Sequence, residues 1–290
     1  MAAPFLLYEV TMERIESLTN SKVKLAASLT KGKTRQQEKA FVTEGVRLCE
    51  EALKAAEQGA WTIRFGLITP EQLASQRGAA LAALADEMGI ALYETPETVY
   101  KKAAQVVSPQ GVLFVVNCCS CSPEEIVDLC RGTKKAPLIA VLDGVQDPGN
   151  VGTILRTAEA VGATGAILLP GTADVYGEKT VRASMGAIFR LPVVTMTAAE
   201  LMSFAEDNGL HLYATALDRR AKAHLAVNFE EPSMIVFGSE GSGVSKDILD
   251  DDITETIYIP MAGGAESFNV AQASAIVLYE TLRQREFKNV

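Results

Sequence analysis

The chain has 290 residues, 48% hydrophobic and 22% charged, with 22 Gly and 11 Pro, a globular composition that excludes a disordered chain or a fibre. Its 27 basic residues against 36 acidic ones leave a formal charge of -9, and as an average this disfavours a nucleic-acid-binding surface. The average hides an uneven distribution. Met1 to Ser122 holds 13 Lys+Arg and 13 Asp+Glu, whereas Pro123 to Val290 holds 14 and 23, so the whole excess of acid lies in the second part. Within the first part, Lys22 to Arg47 carries +5 over 26 residues, from Lys22, Lys24, Lys31, Lys33, Arg35, Lys39 and Arg47 against Glu38 and Glu44. Such a run reads either as a solvated helix face or as a patch that meets phosphates.

Phe5 to Val10 is short and apolar, with no basic residue before it and no convincing small-residue cleavage site after it, so no signal peptide is expected. Met12-Glu13-Arg14-Ile15 reads as a start of its own, and residues 1–11 are expected to be an extension. Helix-like and strand-like stretches alternate from there. The apolar spacing predicts a helix over Ile15 to Thr30, then a polar, basic Lys31 to Lys39 and a short strand at Phe41 to Thr43. A helix over Gly45 to Gly59, a strand over Ile63 to Ile68, mostly helix over Pro70 to Gly89 and a strong strand over Gly111 to Val116 follow. Residues 12–117 are thus expected to form a compact α/β domain.

Residues 118–137 suit a linker with one short helix, Pro123 to Cys130. Four of the five cysteines (Cys118, Cys119, Cys121 and Cys130) crowd into it. Cys118-x-x-Cys121 with Cys130, and no histidine before His211, make at most an incomplete zinc set. Free thiols and no metal are expected, as in a cytoplasmic protein.

Residues 138–290 read as a second α/β domain. Leu138 to Leu142 is a continuous apolar run that suits a buried parallel strand. Ala166 to Leu169, Leu212 to Thr215, Met234 to Gly238 and Thr256 to Ile259 repeat it, and Pro192 to Thr195 does so weakly. Helical stretches lie between and after them: Val151 to Val161, Ala198 to Asn208, Ser245 to Asp250 and Asn269 to Arg285. The alternation predicts a mostly parallel sheet, with ligands at the loops beyond the carboxyl ends of its strands. No run approaches the ~18 consecutive apolar residues of a membrane span.

Three of those loops carry unusual residues. Asp143 to Asn150 turns through Pro148-Gly149 into a helix, with Asn150 in N-cap position and Arg156 two turns on. In isolation these two residues read as a cap and a solvated cation; overhanging a crevice, they read as ligand-facing. Phe237-Gly238-Ser239-Glu240-Gly241-Ser242-Gly243 runs from a strand into three glycines, which lets backbone approach a ligand closely. Its order is neither that of a dinucleotide-binding fold nor that of a P-loop, and Glu240 is a carboxylate that glycine flexibility alone does not call for. Ile259-Pro260-Met261 to Asn269 leads into a helix of small residues, and Pro260 ends the strand with free backbone groups around it. Gly171 to Thr180 has one residue too many for a P-loop. With His211 and His224 as the chain's histidines and neither paired with a nucleophile at a strand end, a Ser-His-Asp or Cys-His mechanism is not expected.

Taken together, Asn150-x-Gly152-x-x-x-Arg156, Phe237-Gly238-x-Glu240-Gly241, and Ile259-Pro260-Met261 with Glu266-Ser267-x-Asn269 resemble the three motifs of the SpoU (TrmH) family of RNA 2′-O-ribose methyltransferases. Val181 to Ala187 resembles a further signature of that family. Asn20 to Lys24 and Glu44-Gly45-Val46-Arg47 look like the ribosomal-protein-like RNA-binding domain that many members carry. The resemblance implies a parallel sheet threaded into a deep trefoil knot, S-adenosylmethionine as cofactor, RNA as partner (ribosomal RNA ahead of transfer RNA) and a homodimer. It implies that backbone at Thr215, Ala216, Leu217, Gly238, Ile259 and Met261, with Glu240 and Gly241, holds the cofactor, and that Ser267 and Asn269 complete the catalytic region. Arg156 would meet substrate phosphate and ribose, with Asn150 and Glu240 organising the pocket. Lys22, Lys24, Lys31, Lys33, Arg35, Arg47 and Arg182 would contact RNA. Phe268 stands where the family often has Leu, and Ala271 where Ser is common.

A guanidinium keeps its proton in almost any protein site, so Arg156 suits an electrostatic anchor better than a general base. The proton acceptor stays open. Rival readings are a non-catalytic RNA-binding protein on the same fold, a base-directed RNA methyltransferase, and a dinucleotide enzyme with an atypical glycine loop.

Overall fold

The computed structural model describes residues 12–130, 135–218 and 220–287; the extension expected at residues 1–11 lies outside them. The chain divides into two compact units, Met1–Cys119 with Tyr176–Glu178, and Ser120–Val175 with Lys179–Val290.

The first unit is a four-stranded sheet. Strands β1 (Ala40–Glu44), β2 (Ile63–Ile68), β3 (Leu92–Glu94) and β4 (Val112–Asn117) lie in the order β1-β4-β2-β3, antiparallel except for β2 beside β3. Its helices are α1 (Ser21–Ser28), α2 (Gly32–Glu38), α3 (Val46–Glu57), α4 (Pro70–Leu73), α5 (Gln76–Glu87) and α6 (Glu97–Ala103). The first helix is shorter than its apolar spacing predicts, because the Asn20 side chain accepts from the Lys22 N–H and starts α1 there. The polar Lys31 to Lys39 stretch is itself mostly helical, and Lys39 ends α2 in the left-handed region at φ 49°. Val23, Ala26 and Leu29 bury one face of α1 against Val42, Leu113, Val115 and Tyr100.

Arg35 differs from the expected phosphate contact. It is buried, and its Nη1 donates to the carbonyls of Leu29 at 2.7 Å and Thr30 at 3.0 Å, so the guanidinium ties α2 to the end of α1. Lys24, Lys31 and Lys33 remain exposed, as does Arg47 on α3, while Lys22 lies over the Tyr93 ring at 4.6 Å.

The second unit is built on seven parallel strands. They are β5 (Leu138–Asp143), β6 (Gly165–Leu168), β7 (Val193–Thr195), β8 (His211–Thr215), β9 (Lys222–Ala223), β10 (Ser233–Gly238) and β11 (Thr254–Tyr258), in the order β7-β6-β5-β10-β8-β11-β9. Helices α7 (Pro123–Asp128), α8 (Pro148–Ala160), α9 (Glu178–Ser184), α10 (Ala198–Asp207), α11 (Lys246–Leu249) and α12 (Val270–Glu286) complete it. Sequence periodicity shows neither the two-residue β9 nor the short α9. The central strands β5 and β10 are buried along their whole length, which is why they read as unbroken apolar runs. β10 enters between β5 and β8, although β8 precedes it in the chain, and a trefoil knot fits this fold. The linker helix α7 seats Ile126 in the same core, against Gly165. All five cysteines are free thiols. Among the described residues no helix is long and apolar enough to cross a membrane.

One half-buried acid, Glu44, gives the first unit a pH signature. The Tyr100 hydroxyl donates to one oxygen of Glu44 at 3.2 Å and the Gln105 N–H to the other at 2.8 Å, yet burial outweighs these bonds and raises its pKa above the ordinary glutamate value. The folded chain therefore keeps a proton that the unfolded chain has already released. Stability falls as pH rises from the ordinary glutamate pKa through the raised one. Glu44→Gln should flatten that fall, read as the pH dependence of urea unfolding; an unchanged dependence would refute the assignment.

Candidate active site

The loops after β5, β8, β10 and β11 all leave the same edge of the parallel sheet. Each is held by specific bonds. After β5, Asp147 caps α8, its carboxylate accepting from the Asn150 N–H at 2.9 Å. Asn150 is thus not the cap that its position suggested. Pro148 suits the first helical position, which moves the helix start upstream and frees the Asn150 side chain. After β8, the Thr215 hydroxyl donates to the Val236 carbonyl at 2.9 Å and the Ala216 N–H to the Ile257 carbonyl at 2.9 Å. After β10, Ser239 and Gly243 exchange both backbone hydrogen bonds at 3.0 Å, closing a tight turn with Glu240 and Gly241 at its tip. Glycine at Gly238 is obligatory, since a Cβ there would stand 2.1 Å from the Gly243 carbonyl carbon. Asp143, at the end of β5, accepts from the Ser245 N–H at 2.6 Å and ties this turn to the neighbouring strand.

The side chains of three loops then meet. Asn150 Nδ2 donates to Glu240 Oε1 at 2.6 Å, and Asn269 Nδ2 donates to Asn150 Oδ1 at 3.2 Å. Asn269 Oδ1 in turn accepts from the N–H groups of Ala271 and Gln272, capping α12. A carboxylate, two amides and a helix N-terminus form one continuous chain of hydrogen bonds.

This chain borders a cavity of about 530 Å³. Nine of the ten residues expected to hold a cofactor line it: Thr215, Ala216, Leu217, Gly238, Glu240, Ile259, Met261, Ser267 and Asn269. Gly241 does not; it stands in open space at the tip of its turn. The sequence reading missed Ser239 and Tyr258, and the wall that α12 supplies through Val270, Ala273 and Val277. Their spacing puts the three on one helix face below Asn269, a signal legible once the cap is known. Phe268 lines the cavity with 41% of its surface exposed.

Arg156 is exposed on α8, and among the described residues its side chain has neither ion pair nor hydrogen bond. Gly152, one turn earlier, permits the close approach of α9: a Cβ there would lie 2.5 Å from the Thr180 carbonyl oxygen and 2.6 Å from the Ala183 Cβ. The Val181 to Ala187 signature is thus the partner that the motif glycine packs against. Arg182 is exposed on α9.

A cavity of nucleoside size at the carboxyl edge of a parallel sheet, walled by glycine-rich backbone and apolar side chains, marks the second unit as a nucleotide-ligand-binding α/β domain. Residues 137–279 match the SpoU rRNA Methylase family, and residues 20–113 match the MRM3-like substrate binding domain. The 23S rRNA (guanosine(2553)-2'-O)-methyltransferase RlmP of Bacillus subtilis is 34% identical over 92% of this chain and 98% of its own. Among solved structures, the AdoMet-bound rRNA methyltransferase from Sinorhizobium meliloti superposes with a TM-score of 0.80 at 29% identity, covering 95% of this chain and 99% of that one. The SpoU methyltransferase AviRb of Streptomyces viridochromogenes, in complex with AdoMet, gives 0.77 at 27%, covering 92% and 98%. The chain belongs to the SpoU rRNA methylase family.

Asn150→Asp replaces the amide that donates to Glu240 with a second carboxylate. It should weaken AdoMet binding roughly tenfold by calorimetry. Adding Glu240→Gln restores a donor–acceptor pair and should recover most of the loss. Equal affinity in the wild type and the single variant would show that the chain of bonds does not shape the cavity.

Proposed function

We propose that this protein is an S-adenosylmethionine-dependent methyltransferase acting on a ribose 2′-hydroxyl of ribosomal RNA, in the cytoplasm, as a homodimer. The observation that carries this reading is the Glu240–Asn150–Asn269 chain at the mouth of the cavity, with the guanidinium of Arg156, unpaired among the described residues, on the helix whose first turn holds Asn150.

The cavity suits the cofactor. Leu217, Ile259, Met261 and Val277 offer apolar walls for an adenosyl group, and the turns at Thr215 to Leu217 and at Gly238 offer backbone partners. When bound, S-adenosylmethionine supplies an electrophilic methyl group on a sulfonium centre. The protein's task is then positioning and charge. Arg156 holds the phosphate beside the target ribose and lowers the cost of the developing alkoxide. Asn150 ties the first turn of the helix that carries Arg156 to Glu240 and Asn269, and Asn269 fixes the end of the loop that carries Ser267. The 2′-hydroxyl also selects RNA over DNA.

Residues 12–117 serve as the RNA-binding domain and 138–290 as the methyltransferase domain. Lys24, Lys31 and Lys33 supply the salt-sensitive grip of the first, in support of which they stand exposed on its surface. Ribosomal RNA is favoured because RlmP, matched over 98% of its own length, and the Streptomyces viridochromogenes enzyme, matched over 83%, are both named for 23S rRNA. A second copy of the chain would cover Leu217, Leu225, Phe268 and Tyr279, which are exposed although apolar, two of them at the cavity rim.

Arg156→Ala should abolish methyl transfer to ribosomal RNA while AdoMet binding persists; wild-type turnover in that variant would sink the role. Reversing the charges of Lys31 and Lys33 to Glu should weaken RNA binding and flatten its salt dependence. If neither changes, the first domain grips its ligand elsewhere.

A further inference from the structure

The first unit contains a piece of chain from far downstream, Tyr176–Glu178. Its hold there is aromatic. The Tyr176 ring stacks on Phe41 of β1, with centroids 4.9 Å apart at 30°, and meets Trp61 edge-on at 6.5 Å and 76°. Phe41 and Trp61 are in edge contact with each other at 6.0 Å, and the Tyr176 hydroxyl donates to the Cys119 carbonyl at 3.0 Å. Stacked and edge-to-face rings are the arrangements that aromatic side chains prefer, and each such pair contributes beyond its buried area. Phe41 is fully buried, so the ring at the base of the stack is fixed. Phe41 and Trp61 both lie in the stretch that matches the substrate binding domain, residues 20–113.

Tyr176 is followed directly by α9, and the start of that helix is tied back to the same loop. The fully buried Thr180 hydroxyl donates to the Asp174 carbonyl at 3.0 Å, which holds the residues on either side of Tyr176 together. Thr180 also lies against α8, since a Cβ at Gly152 would stand 2.5 Å from its carbonyl oxygen. Arg156 is one turn beyond Gly152 on α8. Packed groups therefore run without a break from Phe41 and Trp61 through Tyr176, Thr180 and Gly152 to the turn that carries Arg156. With backbone against backbone at Gly152, a shift of α9 displaces α8 as well. Tyr176 itself does not line the cavity.

We propose that Tyr176 is a positioning residue for methyl transfer: anchored on Phe41 and Trp61, it fixes α9, and through α9 the helix that presents Arg156 to the RNA. This rests on the reading of the chain as an RNA methyltransferase. Tyr176 touches neither cofactor nor substrate in this role. It sets Arg156 in register with the unit that grips the RNA, so its removal acts on turnover and not on binding.

Trp61 is the chain's one tryptophan, which gives the anchor an optical reading of its own. The test compares the full-length wild type with Tyr176→Ala and Tyr176→Phe, using a transcript of large-subunit ribosomal RNA as substrate. Tyr176→Ala should shift the Trp61 emission and lower kcat about ten- to a hundredfold, the cost of a small misplacement of a catalytic group. KM for the RNA and the affinity for AdoMet should not change. Tyr176→Phe keeps the ring and loses only the bond to Cys119, and it should retain the wild-type emission and kcat. Should Tyr176→Ala fail to fold, Tyr176→Leu, which keeps apolar bulk without a ring, takes its place. A wild-type kcat in the ringless variant overturns the proposal, as does a loss confined to KM or to AdoMet affinity, or an emission that does not move. If the proposal fails in this way while Arg156→Ala still abolishes methylation, the methyltransferase reading stands alone. If the wild-type protein transfers no methyl group to ribosomal RNA, that reading fails and the positioning role falls with it, whatever the emission shows.

Discussion

Three loops of the second unit are held in register by one chain of side-chain hydrogen bonds, from Glu240 through Asn150 to Asn269 and on to the N-terminus of α12. Each link satisfies a polar group that the next loop also needs. Glu240 sits at the tip of a turn closed by Ser239 and Gly243, Asn150 at the start of α8, and Asn269 at the start of a helix whose far face walls the cavity. The orientation of the α8 helix, and with it the placement of Arg156, depends on a side chain freed from capping because Asp147 does that work instead. The tight glycines serve the same end. Gly238 lets its turn fold back on itself, and Gly152 lets α8 lie against α9.

Charge is divided by task. The first unit keeps Lys24, Lys31 and Lys33 in solvent but draws Arg35 inside, where two carbonyls of the α1–α2 turn accept hydrogen bonds from it. A guanidinium carries five donors in a fixed fork and is well suited to closing such a turn, so a basic residue in a basic run need not face a ligand. Arg285 does the same in the second unit, where it pins the end of α12 to the segments that enter β5 and β10. A net charge of -9 therefore says little about nucleic acid, because the average mixes structural, paired and free cations.

Much of the fold was legible in the residues. The buried strands β5 and β10 stand out because both faces are covered and no alternation interrupts the apolar run. Edge elements were not legible: β9 has two residues, and α9 has too few to show a period. The Asn150 cap was misread for a local reason, since Asp147 and Asn150 are both good capping residues and Pro148 decides between them. Nine of the residues expected around a cofactor share one cavity because motif glycines and prolines mark strand ends, and parallel strands bring their ends to one edge.

By itself the sequence determined the two-part organisation, the parallel sheet and the three loops whose residue types resemble one family. These are properties of local patterning and spacing, which propensity and turn chemistry express residue by residue. Tertiary structure alone decided which of the polar residues meet: that Asn150 joins Glu240 to Asn269, that Arg35 turns inward while Lys31 and Lys33 do not, and that α12 closes the cavity with Ala273 and Val277. Such pairings join residues as far as 119 positions apart, and they form only once strand order has fixed which loops are neighbours.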